Sequence, residues 1–428
     1  MKRRTLLTSG GAIALTTLLQ ACGGGGGSSS ARLRLINVST GYASLDLYLN
    51  GTLFTTGVAY GNAGAYESVG SGTQTTAEAA TGSDVYLNSQ TRTLNGGMDV
   101  SLLAYGWEGA LKVIQLNDND SAPAGTSEVK LRVLNAAPDA GTLDVYVTGE
   151  GDALQDSAPV VANVGGGTGS GYVTLQAGTY RVRVTASGDI SDIRMDVSQV
   201  SLPAAGIMSL ILVSGSGGTL VRGLTLPQGG APTELINGTA RVRVLAAVDG
   251  NPTVTVSAGT VDLISGARAP TIGTYVNVNS GTVSLTVNVG GVDISAPDLT
   301  AANGSDYSVL IYGDAGAPLV TVLTDDNRLP TSATDFKIRL LHAASSLADS
   351  GLTMTVDYAA VASNVPYGSA SAYDASGALT SALIEVSSPV LASPIYALAD
   401  VPLVAQGVYT VYVLMNGGNP VGVLRRDR

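Results

Sequence analysis

Val129-Lys130-Leu131-Arg132-Val133-Leu134-Asn135 alternates apolar and basic side chains with period two, the pattern of a β-strand with one face in a core. The same pattern returns as Ala31-Arg32-Leu33-Arg34-Leu35-Ile36-Asn37, as Ala240-Arg241-Val242-Arg243-Val244-Leu245-Ala246 and as Phe336-Lys337-Ile338-Arg339-Leu340-Leu341-His342. The second basic residue of each copy falls at 34, 132, 243 and 339, a spacing of about a hundred residues that matches one immunoglobulin-like sandwich. The alternation predicts that Leu33, Leu35, Leu131 and Val133 face a core and that the basic residues between them stay wet.

Each copy continues in kind. Leu45-Asp46-Leu47-Tyr48-Leu49 matches Leu143-Asp144-Val145-Tyr146-Val147, with Val254-Thr255-Val256 and Leu352-Thr353-Met354 as weaker counterparts. Tyr66, Tyr172, Tyr275 and Tyr373 each precede a glycine turn and read as core or sheet-edge packing; an apolar closing strand follows in every copy. With no long helical periodicity, the expected fold is all-β: four tandem immunoglobulin-like antiparallel β-sandwich domains of about seven strands each, over residues 31–120, 128–228, 239–325 and 336–428. Asp46 and Asp144 are expected to pair across strands with Arg34 and Arg132.

The repeats resemble the family called domain of unknown function 4397 (DUF4397), whose units open on an alternating Ala-Arg-Val-Arg-Val strand and continue through a Val-Asp-Val-Tyr segment. The second copy is most similar, through Leu131-Arg132-Val133-Leu134-Asn135-Ala136-Ala137-Pro138-Asp139-Ala140 and Asp144-Val145-Tyr146-Val147. The third and fourth lack the Asp-x-Tyr pair at the aligned place. The resemblance implies a fold and a compartment and no activity.

At the N-terminus Lys2, Arg3 and Arg4 precede a short apolar stretch and Leu19-Gln20-Ala21-Cys22, a segment too short for a permanent span. It reads as a signal peptide over residues 1–21. Leu19, Ala21 and Cys22 resemble the lipobox of bacterial lipoproteins, which implies a lipid on the Cys22 thiol; Arg3-Arg4 resembles a twin-arginine export signal, and general secretion is the alternative. Cys22 is the one cysteine, so no disulfide forms within the chain. Gly23 to Gly27 and Ser28 to Ser30 complete a tether over residues 22–30. The expected place is the bacterial cell envelope, lipid-anchored, at the outer membrane.

Thirty-three acidic against 22 basic residues argue against a nucleic-acid partner. His342 is the one histidine, stands where other copies carry Asn or Ala, and is read as structural. Trp107, the one tryptophan, is a thin case for a sugar site. Asn117-Asp118-Asn119-Asp120 and Thr324-Asp325-Asp326-Asn327 follow the first and third copies. Their clustered oxygens at Asp118, Asp120, Asp325 and Asp326 suit calcium, and equally suit solvated turns. The junction after the second copy, Leu226-Pro227-Gln228-Gly229-Gly230, lacks such a cluster, which predicts two two-domain blocks joined by a looser middle hinge.

No catalytic residues or organic cofactor are expected. The functional expectation is a non-enzymatic envelope lipoprotein serving as a spacer, display or binding module for an envelope protein or polysaccharide, with a carbohydrate- or calcium-binding adhesin-like surface protein as the alternative and an envelope enzyme after that.

Overall fold

A computed structural model describes residues 29–428. The expected signal peptide, Cys22 and most of the expected tether fall outside the described residues. The fold is all-β, with three single-turn 3-10 segments at 138–140, 154–156 and 345–347 as its helical pieces among the described residues.

Four sandwiches follow one another, each built from one five-stranded and one four-stranded sheet, with an extra two-stranded ribbon in the third. In the first domain the opening strand, Ala31–Asn37, lies between a broken edge strand (Asn62–Ala63 and Glu67–Val69) and the closing strand, Asp99–Tyr105, which pairs in turn with the final strand, Lys112–Asn117. The other sheet runs Thr52–Ala59, Ser44–Leu49, Gly72–Ala80, Tyr86–Leu94. The breaking of edge strands takes the strand number above seven. Within otherwise antiparallel sheets one pairing per domain is parallel, always opening strand against closing strand: Leu35 opposite Leu102, Val133 opposite Leu210, Val244 opposite Val309, Leu340 opposite Val411.

The alternation places its apolar half as expected. Leu33 and Leu35 sit in the first core with Leu45, Leu47 and Leu102, while Leu131 and Val133 sit in the second with Val145, Val184 and Leu210. Its basic half is a correction. Arg34, Arg243 and Arg339 are buried, and Arg132 is half-buried, because this face of the sheet packs on a neighbouring domain instead of on water.

The expected pairs Arg34–Asp46 and Arg132–Asp144 do not form, since the opening strand and the Asp-bearing strand belong to different sheets. Asp46 instead accepts the N–H of Gly57 and the Thr56 and Thr81 hydroxyls through Oδ1, and the Gly82 N–H through Oδ2. Gly57, at φ +69°, makes the bulge where this edge strand slips register. Burial works against the Asp46 charge, but these donors outweigh it and hold the carboxyl below its usual range. Asp144 holds Asn163 in the same way, and Thr255 and Thr353 hold Gly266 and Asn364, all at positive φ. That substitution explains why the motif fades in the later copies: the bulge needs an acceptor, and a hydroxyl serves.

The first core contains one misfit. Glu78 is fully buried at the station that Val184, Val287 and Val386 fill in the other domains, opposite Leu47, and neither carboxyl oxygen has a hydrogen-bond partner among the described residues. Burial pushes its carboxyl up to about 7, with Arg92 pulling the other way. A proton held more tightly in the folded state than in the unfolded chain stabilises below the unfolded value, near 4.3, and its contribution is lost as pH rises to about 7. The first domain is therefore expected to shed roughly 3 kcal/mol between pH 4.5 and 7, none of it above that window. Denaturant titrations across pH, followed by Trp107 fluorescence, should show this slope in the parent and lose it in Glu78→Gln.

Candidate functional site: shared carboxylates between domains

Because opening-strand residues alternate, Arg32, Arg34 and Ile36 share the face opposite Leu33 and Leu35. Closing-strand residues Ser101, Leu103 and Tyr105 lie on the same side. The equivalent face of the second domain offers Arg132, Leu134, Ala136, Ile211 and Val213, and the two faces meet in one buried cluster with Leu116, Leu224 and Leu226. The third and fourth domains join likewise through Leu245, Ala247, Leu310, Leu341, Tyr412 and Leu414. Each fully buried Leu or Ile contributes about 1.5–3 kcal/mol. Two blocks of two domains result, as the asymmetry of the junctions suggested.

Inside each apolar seam lies a carboxylate shared by two guanidiniums from different domains. Asp325 ends the final strand of the third domain. Its Oδ1 is 2.5 Å from Arg339 Nη2 of the fourth domain, and its Oδ2 is 3.6 Å from Arg243 Nε of the third. Ser308 and Tyr275 donate hydroxyl hydrogen bonds to Oδ2 at 2.5 and 2.6 Å. In the first block Asp118 stands in the same way, 3.8 Å from Arg34 and 3.9 Å from Arg132, and accepts from the Ser101 and Tyr66 hydroxyls.

The repeated tyrosines roof these sites. Arg34, Arg132, Arg243 and Arg339 lie over Tyr66, Tyr172, Tyr275 and Tyr373 at 4.3, 5.1, 4.6 and 4.8 Å from the ring centroids. A closing-strand hydroxyl accepts from each Nε: Ser101, Ser209, Ser308 and Thr410. Burial opposes ionisation of Asp325, but Arg339 and Arg243 outweigh it and hold the carboxyl below its usual range. Burial likewise opposes the Arg243 cation, and Tyr275, Tyr412, Asp427 and Asp325 together keep it above the ordinary arginine value. Burial, then the bond to Asp118, pushes Tyr66 up to about 12, so it stays a donor.

The four aspartates singled out for calcium thus have other neighbours. Asp118 and Asp325 are counter-ions to two arginines each. Asp120 faces Lys130 at 3.4 Å, and Asp326 is bound by Arg328 at 2.8 Å and Lys337 at 3.4 Å. Sequence shows the carboxylates side by side but not the cations that folding brings from another domain. Among the described residues no three or more His, Cys, Asp or Glu converge as metal ligands would.

His342 is fully buried at the end of its strand. Its Nδ1 accepts the Ala344 N–H, and its Nε2 lies 3.2 Å from the carbonyls of Leu347 and Ser350. Asn37 and Asn135 do the same work, accepting from Ser39 and Ala137 and donating to the loop carbonyls of Tyr42 and Gly141. Trp107 is 7% exposed and lines a crevice with Lys112, Pro138, Leu329, Thr331 and Gln406, so it offers no open stacking face.

The Gly-rich middle joint departs from the hinge expected of it. The carbonyls of Gly229 and Gly230 accept from Arg34 Nη1 at 3.2 and 2.8 Å, which ties the joint to the first domain. Between blocks, Gly217 N–H donates to Gly304, Arg428 donates to Gly218, and Asp139 accepts the Leu329 N–H at 3.0 Å.

A family model described as a domain of unknown function (DUF4397) matches residues 31–146 and 240–349, more than half of the chain. Both matches start on an opening strand and cross a junction, so that one contains Arg34, Asp118 and Arg132 and the other Arg243, Asp325 and Arg339. No curated protein matches. Among solved structures, the Bacillus anthracis TIE protein is 11% identical over 67% of this chain and 50% of its own, with a TM-score of 0.15. A Bacteroides ovatus protein provisionally designated a cell adhesion protein is 11% identical over 46% and 96%, at 0.22. The family CBM26 module CBMbc of Eubacterium rectale Amy13K, solved with maltoheptaose, is 13% identical over 47% and 98%, at 0.17. Overlap is low in each case.

Removing one partner of a buried ion cluster strands the others, at a cost of about 3–5 kcal/mol. Asp325→Ala should destabilise the third and fourth domains by that amount, whereas Asp120→Ala, whose side chain is partly exposed, should cost under about 1 kcal/mol. Calorimetric melts of the two variants make the comparison. Calcium added to the parent chain should leave its melting temperature unchanged.

Proposed function

The chain belongs to the DUF4397 family, and from that premise we propose that it is a non-enzymatic, lipid-anchored envelope protein acting as a stiff spacer that displays a binding surface. The observation that supports the reading is the pairwise cementing of domains: an apolar seam with a shared carboxylate at its centre resists the bending that a string of independent sandwiches would allow. Cys22 provides the membrane attachment, and among the described residues no helix is long and apolar enough to cross a membrane. The fourth domain, farthest along the chain from Cys22, exposes Tyr358, Val390, Leu391 and Leu398, apolar side chains suited to an envelope protein or polysaccharide.

Two measurements test this. Cys22→Ser should move the protein from the membrane to the soluble fraction or leave uncleaved precursor; a lipid label retained by the variant would sink the anchor. Small-angle scattering of the full chain should give one sharply defined distance distribution, and Asp118→Ala should broaden it. An equally broad distribution in parent and variant would remove the case for a stiff arm.

A further inference from the structure

The two blocks differ by one buried charge. In the second block Arg243 faces two carboxylates, Asp325 and Asp427, while Arg339 pairs with Asp325. Asp427 lies just past the fourth domain's final strand, where its N–H donates to the Val408 carbonyl at 2.8 Å. Its carboxylate accepts from Arg243 at 2.5 Å, from the Thr410 hydroxyl at 2.7 Å and from the Tyr412 hydroxyl at 3.3 Å. In the second domain the same backbone station, an N–H donating to the Ile207 carbonyl at 2.8 Å, is Gln228. Its amide turns away to the main chain of Asp120.

Asp118 therefore stands alone against Arg34 and Arg132. Arg34 is 3% exposed; Nε and Nη1 are taken by Ser101, Gly229 and Gly230, while Nη2 has no hydrogen-bond partner among the described residues. The surrounding charges are already matched one to one: Arg32 with Asp99, Lys130 with Asp120, Arg222 with Glu234. One positive charge remains buried in the seam, and a buried charge calls for a counter-ion.

We propose that the interface between the first and second domains binds a small monovalent anion, chloride being the type, held by Arg34 through its unpartnered Nη2 as the second counter-ion that the Asp427 carboxylate provides for Arg243 in the second block. Ser209, which accepts from Arg132 as Thr410 accepts from Arg339, occupies the station from which Thr410 donates to Asp427. One unit of excess charge sets the valence, and a packed seam selects a small ion over a large organic one. The anion completes the interface and binds only the assembled block, so it stabilises that block by mass action.

Trp107, the only tryptophan, lies in the first domain and reports on this block in the full chain. Thermal melts followed by its fluorescence would be run in sodium chloride and in sodium gluconate at equal ionic strength. Chloride at about four times its dissociation constant should raise the transition by roughly 2–4 °C over gluconate. Gln228→Asp should melt above the parent in gluconate and lose the chloride response, and crystals grown in bromide should show an anomalous peak within hydrogen-bond reach of Arg34 Nη2. Equal melting of the parent in the two salts, or an undiminished chloride response in Gln228→Asp, would overturn the proposal.

Discussion

One carboxylate shared by two arginines from different domains is the constraint on which the assembly depends. An apolar seam is adhesive but non-directional, and two flat sheet faces lined with Leu, Ile and Val can slide or rotate with little change in buried area. A charge trio cannot: Asp325 keeps its bonds to Arg243 and Arg339 in one register only. Desolvating three charges offsets most of what their attraction gains, so the apolar contacts supply the net stability and the trio selects the geometry. A tyrosine ring covers each of the four guanidiniums, and a Ser or Thr hydroxyl accepts from each Nε.

Much of the single-domain architecture was legible in sequence. The period-two strands at Leu33, Leu35, Leu131 and Val133 occupy the cores that the pattern predicts, and the recurrence of the opening strand counts the sandwiches. What misled was the basic half of the pattern, because a strand alternating Leu with Arg reads as half-wet, and nothing local distinguishes water from a second protein face. A signal was nevertheless present in the closing strands. Val100 to Tyr105, Met208 to Val213 and Val408 to Met415 are buried on both sides, and such nearly unbroken apolar runs mark strands covered on two faces. Reading those runs beside the arginines one strand away would have identified the seam.

The aspartates chosen for clustered oxygens have protein cations beside them. Asp118 and Asp325 do neutralise cations at the junctions, but the cations are covalent parts of the chain. Asp46 and Asp144 were likewise matched with the wrong partners, since which sheet a strand joins is a long-range property that spacing does not encode. Where the chain changes letters but keeps the bond, as with His342 for Asn37 and Asn135 or Thr255 for Asp46, the pattern looks broken in sequence and is intact in space.

The seam also orders the molecule in time. An odd-numbered domain that has just emerged can close its own core, but its outer sheet face still carries Ile36, Leu103 and an Arg34–Asp118 pair awaiting the second arginine. The partner strand lies about a hundred residues downstream, and synthesis at about 5–20 residues per second leaves that face open for roughly 5–20 s. For that interval each odd domain is a half-product with a sticky, charged surface. The chain passes through that state twice before its final sandwich is made.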